Sequence, residues 1–325
     1  MTILVTGAAG HLGAHLVDRL VAAGQPVVAQ TRRRVAAPPV SGLARAVGDL
    51  AEAGVAERAV QGAHQVVHCA ARVRDGQPED FERDNLQATA RLLDAAAREG
   101  VQRFVFLSSV VVYGFGIHRD TPETAPAQVD EDPYAVSKVR GERLVLEHAV
   151  PGIVLRAGVL WGGPHDQRLT ASLRRAIRRR LLVFPGACNT PMPFAHVDNV
   201  CDLILRALSS PVACNDVFNA TDGGRVSMRT FAQSLAESEG LPAPRFSIPT
   251  ALATGLVELA RRVRDRVAPS HPLSVRPEVI RMMNQPCTFS VQHARDQLGY
   301  VPVPLRERMA ADGRRRSPHP TASSH

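Results

Sequence analysis

The sequence predicts an α/β fold: a doubly wound parallel sheet with helices on both faces, joined to a smaller, mainly C-terminal lobe. Three observations lead there. Over roughly the first 160 residues, short apolar runs alternate with longer segments of helical periodicity. A glycine-rich turn joins the first run to the first helix. Past about residue 157 the alternation gives way to Gly- and Pro-rich turns.

In chain order, Ile3–Thr6 is an apolar run short enough for a strand, and Gly7 to Gly13 is the glycine-rich turn. Leu12, Leu16, Val17, Leu20 and Val21 then recur at helical spacing up to Gly24, a C-terminal stop. Val27–Thr31 reads as a second strand, Arg45–Val47 as a weak third and Gln65–Ala70 as a fourth. One long helix is predicted over about Pro78–Arg98, ended by Gly100. Arg103–Leu107 is the fifth strand, Pro133–His148 a helix and Ile153–Arg156 the sixth strand. The lobe opens on Gly162-Gly163-Pro164 and continues through an Arg-rich helix, Thr170–Arg180, and a turn-rich stretch from Pro185 to Pro193. Asp198–Leu208 is a helix returning to the sheet, and Val217–Asn219 is a further strand. Helices at Met228–Glu239 and Thr250–Arg264 follow. The expected division is 1–160 for the sheet domain with a returning segment about 196–222, and 161–195 with 223–312 for the lobe. Residues 313–325 (GRRRSPHPTASSH) are expected to form a disordered tail.

Composition removes several function classes. The chain has 325 residues, 45% hydrophobic and 22% charged, enough to bury a core. No apolar run approaches the roughly 20 residues of a membrane helix, so no membrane insertion is expected. The start, Met1-Thr2-Ile3-Leu4-Val5-Thr6-Gly7, reads directly into a strand, so no secretory leader is expected. Five cysteines (Cys69, Cys188, Cys201, Cys214, Cys287) form no CxxC pair and read as reduced thiols of a cytoplasmic protein. The net charge of +8 raises the question of nucleic acid, yet it comes from 38 arginines and one lysine. That ratio is a compositional bias. With aromatics at 4%, no base-stacking surface is evident, and no nucleic-acid partner is expected.

The turn Thr6-Gly7-Ala8-Ala9-Gly10-His11-Leu12-Gly13 carries chemistry. Glycines spaced by three, after a strand and opening a helix, allow a tight turn, close approach of backbone to a pyrophosphate, and free N–H groups aimed at the anion. This is a Rossmann-type dinucleotide site with Gly7, Gly10, His11, Leu12 and Gly13 as its loop. At the end of the second strand, an NAD site carries a carboxylate for the ribose hydroxyls. This chain has Thr31-Arg32-Arg33-Arg34, and a guanidinium fork suits a 2′-phosphate. Arg32 and Arg33 therefore point to NADP, with NAD as the less favoured cofactor; alternatively these arginines line a solvated loop. Asp49, with Leu50 after it, ends the next strand where an acceptor meets the adenine amino group.

Tyr134 and Lys138 lie one helical turn apart in Tyr134-Ala135-Val136-Ser137-Lys138. A phenol titrates near 10, and a fixed ammonium beside it favours the phenolate. The only lysine of the chain stands four residues after one of its three tyrosines, Tyr113, Tyr134 and Tyr300. A hydroxyl partner is expected at the C-terminal end of a strand, where open α/β sheets bind ligands. Phe106-Leu107-Ser108-Ser109 supplies it: Ser109 is favoured to orient a substrate oxygen, with Ser108 as competitor. His68 and His196 sit in apolar segments without ligand-spaced neighbours, so both read as structural and no metal is expected. The arginines of 174–180 read as a solvated face, with contact to a substrate phosphate as the alternative.

With these residues on view, the chain resembles the extended short-chain dehydrogenase/reductase superfamily, the NAD(P)-dependent epimerase/dehydratase and 3β-hydroxysteroid dehydrogenase-like branch. TGAAGHLG at 6–13 matches its TGxxGxxG, and YAVSK at 134–138 its YxxxK. LSSVVVYG at 107–114 matches its serine strand, with Ser109 in the catalytic slot. Val67-His68-Cys69-Ala70-Ala71 is similar to the strand beside the cofactor, which places Ala70 in the cofactor site. Asn85-Leu86 with Thr89, the stretch from Arg156 to Gly162, Phe194-Ala195-His196-Val197-Asp198 and Gln297 to Tyr300 resemble further landmarks, so the likeness covers about 1–305. Departures are informative. Nucleotide-sugar members often place an arginine where Met192 stands, and dehydratases follow their catalytic hydroxyl with Asp and Glu where this chain has Val110 and Val111.

The expected activity is an NADP-dependent oxidoreductase interconverting a ketone and a secondary alcohol: Tyr134 exchanges the proton, Lys138 tunes Tyr134 and holds the ribose, Ser109 orients the carbonyl. Met192, Pro191, Pro193, Phe194, Leu160, Trp161 and Phe184 suggest a greasy pocket wall and hence a hydrophobic or ring-shaped small molecule. The alternatives are a nucleotide-sugar epimerase or 4-ketoreductase, and a non-catalytic NADP-binding regulator. A small-molecule substrate is the expected partner, and a homodimer is compatible with the reading.

Overall fold

The computed structural model describes residues 1–35, 39–73, 76–129, 132–211, 214–267 and 277–316. In chain order the first half comprises β1 (Ile3–Thr6), α1 (His11–Ala22), β2 (Val27–Thr31), β3 (Leu43–Val47), α2 (Val55–Val60), β4 (Gln65–His68), α3 (Pro78–Phe81), α4 (Ala88–Glu99), β5 (Arg103–Ser109), β6 (His118–Thr121) and α5 (Pro133–Glu147). The second half comprises β7 (Gly152–Ala157), β8 (Val159–Trp161), α6 (Leu169–Arg178), β9 (Phe184–Pro185), β10 (Phe194–His196), α7 (Val197–Ser209) and β11 (Asp216–Ala220). It ends with α8 (Met228–Ser238), β12 (Ser247–Ile248), α9 (Thr250–Val267), α10 (Pro277–Asn284), β13 (Cys287–Phe289), α11 (Gln292–Leu298) and α12 (Leu305–Arg316).

Seven strands form one sheet in the order β11-β7-β5-β4-β1-β2-β3, every neighbour parallel. This is the predicted doubly wound α/β architecture. The strands are apolar on both sides because both faces are covered. In β1, Ile3 and Val5 join a core with α1, α7 and α11, while Leu4 joins the opposite core with α2 and α4. The order reverses between β1 and β4, so a crevice opens at the carboxyl ends of those strands, the usual ligand position in such sheets. A separate apolar cluster holds the lobe: Trp161, Phe184, Met192, Phe194 and Phe231 are all buried in it.

Two expectations need correction. The helix expected over Pro78–Arg98 is not continuous: between α3 and α4 the turn widens to a π-helical stretch, Glu82–Gln87. The wider turn turns Asp84 and Asn85 inward, and both are buried. The tail expected from residue 313 also begins too early. Residues 313–316 belong to α12, whose Asp312 and Arg315 anchor it to Gly163 and Asp198; residues 317–325 lie outside the described residues.

Candidate active site

The loop after β1 is shaped by what it excludes. Gly7 has φ +64°, and a Cβ there would stand 2.8 Å from Ala70 N. A Cβ on Gly13 would stand 2.3 Å from the Gly7 carbonyl oxygen. Only backbone fits between the turn, helix α1 and the end of β4. Gly10 precedes α1 with no side-chain cap, and the helix's first turn carries no acid. That N-terminus is an uncapped set of donors of the kind that binds phosphate. Leu12 anchors α1 in the core, and Ala70 N donates to Thr6 Oγ1 at 3.2 Å. His11 hydrogen-bonds Gly162 O at 2.7 Å, tying the loop to the lobe. Burial lowers the His11 pKa, against the pull of Gly162 and Asp166.

The first of the arginines after β2, Arg32, is held in ion pairs. Arg32 Nη2 lies 3.2 Å from Asp84 Oδ2 and Arg32 Nε 3.7 Å from Asp49 Oδ2. Arg72 and Arg83 also reach Asp84, at 2.8 and 2.9 Å. Burial works against the Asp84 charge, but Arg72, Arg32 and Arg83 outweigh it and lower its pKa. Asp49 is engaged as well, accepting from Ala51 N at 3.0 Å and pairing with Arg83 at 3.0 Å. The adenine role expected of Asp49 thus competes with these partners. Leu50 beside it is buried. Arg33 is exposed, and Arg32, Arg72 and Arg83 converge on Asp49 and Asp84. Sequence reading missed Arg72, Arg83 and Asp84, because the π-helical turn carries Arg83 and Asp84 beside Arg32 and the loop after β4 brings Arg72 to them.

The carboxyl end of β5 and the start of α5 hold the hydroxyl groups. Asp132 caps α5 by accepting from Tyr134 N at 2.9 Å, with Pro133 in the first turn. The Tyr134 phenol is pushed up to about 12 by burial, with the Asp132 charge adding and a hydrogen bond with Ser109 opposing. It is therefore a protonated donor at neutral pH. One turn on, Lys138 is buried, donates from Nζ to Leu107 O at 2.7 Å, and lies 4.6 Å from the Phe106 ring centroid and 5.8 Å from that of Tyr134. Burial pulls its pKa down to about 8, opposed by Cys69 and Glu142. Ser137 Oγ donates to Tyr134 O at 2.8 Å and accepts from Asn85 Nδ2 at 2.8 Å, bracing this turn against the π-helical stretch.

Ser108 and Ser109 separate cleanly. Ser108 is buried and donates to Glu142 Oε1 at 2.5 Å, whereas Ser109 is partly exposed and accepts from Val111 N at 3.4 Å. Glu142 also pairs with Arg156, whose Nη2 lies 2.7 Å from Oε2. Arg156 Nη1 donates to Tyr113 Oη at 2.8 Å, and Tyr113 Oη donates to Asn219 Oδ1 at 2.8 Å. This buried network beneath the Ser109 turn was not foreseen. The residues span 108–219, so no local spacing signals it.

Elsewhere, His68 is buried between Thr6 Oγ1 (2.7 Å) and Thr89 Oγ1 (2.9 Å), and burial with the nearby Lys138 charge pushes it down to about 3. His196 caps α7, accepting from Asp198 N at 3.1 Å. Both serve the fold. Among the described residues no group of His, Cys, Asp and Glu has the arrangement of a metal site, and all five cysteines are free. The greasy wall takes a correction. Trp161, Phe184 and Met192 are buried in the lobe's own core, because Phe231 and Phe194 pack against them.

The profile of the NAD dependent epimerase/dehydratase family matches residues 3–220. The chain belongs to that family. Among curated relatives, "Sterol demethylase protein B" of Methylococcus capsulatus is 32% identical, covering 95% of this chain and 96% of that protein. A ketoreductase of Stigmatella aurantiaca acting on 4-hydroxy-2-methyl-3-oxo-4-farnesyl-3,4-dihydroquinoline-1-oxide is 28% identical, covering 93% and 92%. Among solved structures, MoeE5 in complex with UDP-glucuronic acid and NAD superposes with TM-score 0.76 at 27% identity, covering 97% and 98%. The epimerase/dehydratase family is of the extended short-chain dehydrogenase/reductase type, as the motifs implied, and the chain is an NAD(P)-dependent oxidoreductase. The uncapped start of α1, set by the tight turn that Gly7 and Gly13 allow, fits a nicotinamide dinucleotide.

Proposed function

We propose that the protein is an NADP-dependent reductase or dehydrogenase that interconverts a ketone and a secondary alcohol on a hydrophobic, ring-bearing small molecule. The observation that carries this reading is the Tyr134 phenol, pushed up to about 12 by burial, sharing a helix face with buried Lys138 and set beside the carboxyl end of β5 that carries Ser109. When bound, the cofactor supplies or accepts the hydride. In the reductive direction Tyr134 Oη gives its proton to the substrate oxygen while Ser109 Oγ orients that oxygen. The Lys138 ammonium offsets the negative charge developing on the phenol oxygen. Ser108 takes no part, being held by Glu142. The arginines after β2 support NADP: Arg32 and Arg33 are exposed at the end of that strand, where a guanidinium fork suits a 2′-phosphate.

Two lines support the substrate class. The names of the Methylococcus and Stigmatella relatives specify a sterol and a farnesylated ring. Met192 stands where nucleotide-sugar members often carry an arginine for the diphosphate, so that cation is missing here. Arg174, a candidate to replace that missing cation, is tied to Glu239. The second reading, a nucleotide-sugar epimerase or 4-ketoreductase, rests on the fit to MoeE5 holding UDP-glucuronic acid.

Tyr134→Phe tests the chemistry. It is expected to lower turnover at least about 100-fold while leaving NADPH affinity within a few-fold; retention of more than about a tenth of the rate refutes the assignment. A competition assay separates the substrate classes. Hydrophobic cyclic ketones should consume NADPH stoichiometrically. Inhibition by UDP or dTDP at micromolar concentration, with such ketones inert, establishes the nucleotide-sugar reading instead.

A further inference from the structure

The lobe carries an apolar surface that the active site does not use. On α9, Leu252, Leu256, Leu259 and Val263 are 51–57% exposed. At 100° per residue they fall within about 60° of one another, a single stripe along a helix about 27 Å long. The stripe continues onto the adjoining strands. Phe246, just before β12, is 76% exposed, and Leu181, just before β9, is 69% exposed. β9 and β12 are paired, Phe184 N donates to Phe246 O at 2.9 Å, and α9 packs beside β9, so these side chains share one end of the lobe.

The rim of this patch is basic. From Arg168 to Phe184 the sequence has six arginines and no acid. Arg174 and Arg178 are neutralised by Glu239, whereas Arg179, Arg180 and Arg245 are exposed and make no ion pair among the described residues. Arg262, also exposed, stands beside Val263 on α9.

We propose that this face docks on the surface of an anionic lipid bilayer, with the Leu252–Val263 stripe, Phe246 and Leu181 entering the acyl boundary and the arginines meeting headgroup phosphates. The pattern is that of an interfacial surface: one apolar stripe with Arg262 on its flank, one turn after exposed Glu258, and a rim of Arg179, Arg180 and Arg245 opposite in sign to the lipid. No helix among the described residues is long and apolar enough to cross a membrane, so the contact lies on the bilayer. A second copy of the chain fits less well. A self-complementary interface built on this patch would bring Arg179, Arg180 and Arg245 against their own kind. The inference does not depend on the substrate reading, because it concerns a surface remote in chemistry from Tyr134.

The experiment is co-sedimentation of the full chain with vesicles of phosphatidylglycerol and phosphatidylcholine, and with vesicles of phosphatidylcholine alone. The protein is expected to pellet with the anionic vesicles and to be released by salt. Leu256→Asp/Leu259→Asp and Arg179→Glu/Arg245→Glu should each weaken binding at least tenfold while circular dichroism and NADPH binding stay unchanged. These positions are exposed, so the fold does not depend on them. Failure of the folded wild type to bind anionic vesicles overturns the proposal, as does equal binding by the variants. So does a dimer in solution that Leu256→Asp/Leu259→Asp converts to monomer.

Discussion

Lys138→Met is expected to change how stability depends on pH, in a window the structure specifies. The Lys138 ammonium has a pKa of about 8 in the folded protein against 10.5 for an ordinary lysine, because it is buried with one backbone acceptor, Leu107 O, at 2.7 Å. Each pKa unit corresponds to about 1.4 kcal/mol, so the buried charge costs the fold about 3 kcal/mol wherever both states are protonated. The sign follows from proton counts. Between pH 8 and 10.5 the unfolded chain holds the lysine proton and the folded chain has shed it, so the wild type gains stability as pH rises through that window. Below the window the cost is constant; above it the cost is gone. Lys138→Met removes this dependence. Urea unfolding of both proteins at a series of pH values, without added cofactor, isolates it: the wild type should gain about 3 kcal/mol relative to the variant across the window. A difference flat to within about 0.5 kcal/mol would mean the ammonium does not bear the burial cost assigned to it. Turnover should move the other way, carbonyl reduction falling as pH passes about 8 and the charge facing Tyr134 is lost.

The remaining expectations are simpler. Glu142→Gln leaves the Arg156 guanidinium buried without its carboxylate and should cost about 3–5 kcal/mol in denaturant unfolding, with Ser108→Ala far milder because it removes one hydrogen bond. Gly13→Ala places a Cβ 2.3 Å from the Gly7 carbonyl oxygen, so α1 must shift; cofactor affinity measured by titration should fall at least about tenfold, with a loss of about 1–3 kcal/mol in stability. Arg32→Ala should weaken NADPH by about tenfold or more and leave NADH nearly unchanged, and equal affinity of the wild type for both cofactors would refute the NADP assignment.

What was legible in the sequence shares one property: its signal is local. The loop from Gly7 to Gly13 declares itself because its glycines are spaced by three between a strand and the helix that follows. Tyr134 and Lys138 declare themselves because one helical turn spaces them. Strands β1, β2, β4, β5 and β7 are apolar on both faces and so stand out as continuous runs. What was not legible is built by pairing across distance. Strand β6 is His118-Arg119-Asp120-Thr121, polar by composition, and is a strand only because β13 lies beside it some 170 residues later. The π-helical turn at Glu82–Gln87 has no compositional mark, yet it decides which carboxylate the arginines after β2 encounter. Trp161, Phe184 and Met192 suggested a pocket wall because sequence reports that a residue is apolar and not what it packs against. In the structure they pack on each other.

The choice of lysine in an arginine-rich chain follows from the same burial. Two cations lie under the end of β5, and they are handled differently. Arg156 is given a bidentate carboxylate in Glu142 and a phenol in Tyr113, so burial does not lower its pKa; the guanidinium stays charged whatever the pH. Lys138 is given one carbonyl and two ring faces, which hold the ammonium without fixing its proton. A guanidinium in that place would lack the carboxylate its buried charge requires, and its planar fork would not fit a single acceptor at Leu107. Glu142 couples the two: it raises both cations' affinity for their protons while its oxygens are spent on Arg156 and Ser108. The result is an ammonium poised near neutrality beside a phenol held protonated at about 12, a pair whose charges shift toward each other when the phenol gives up its proton. Both displacements share one leading cause, burial, which disfavours the phenolate and the ammonium alike.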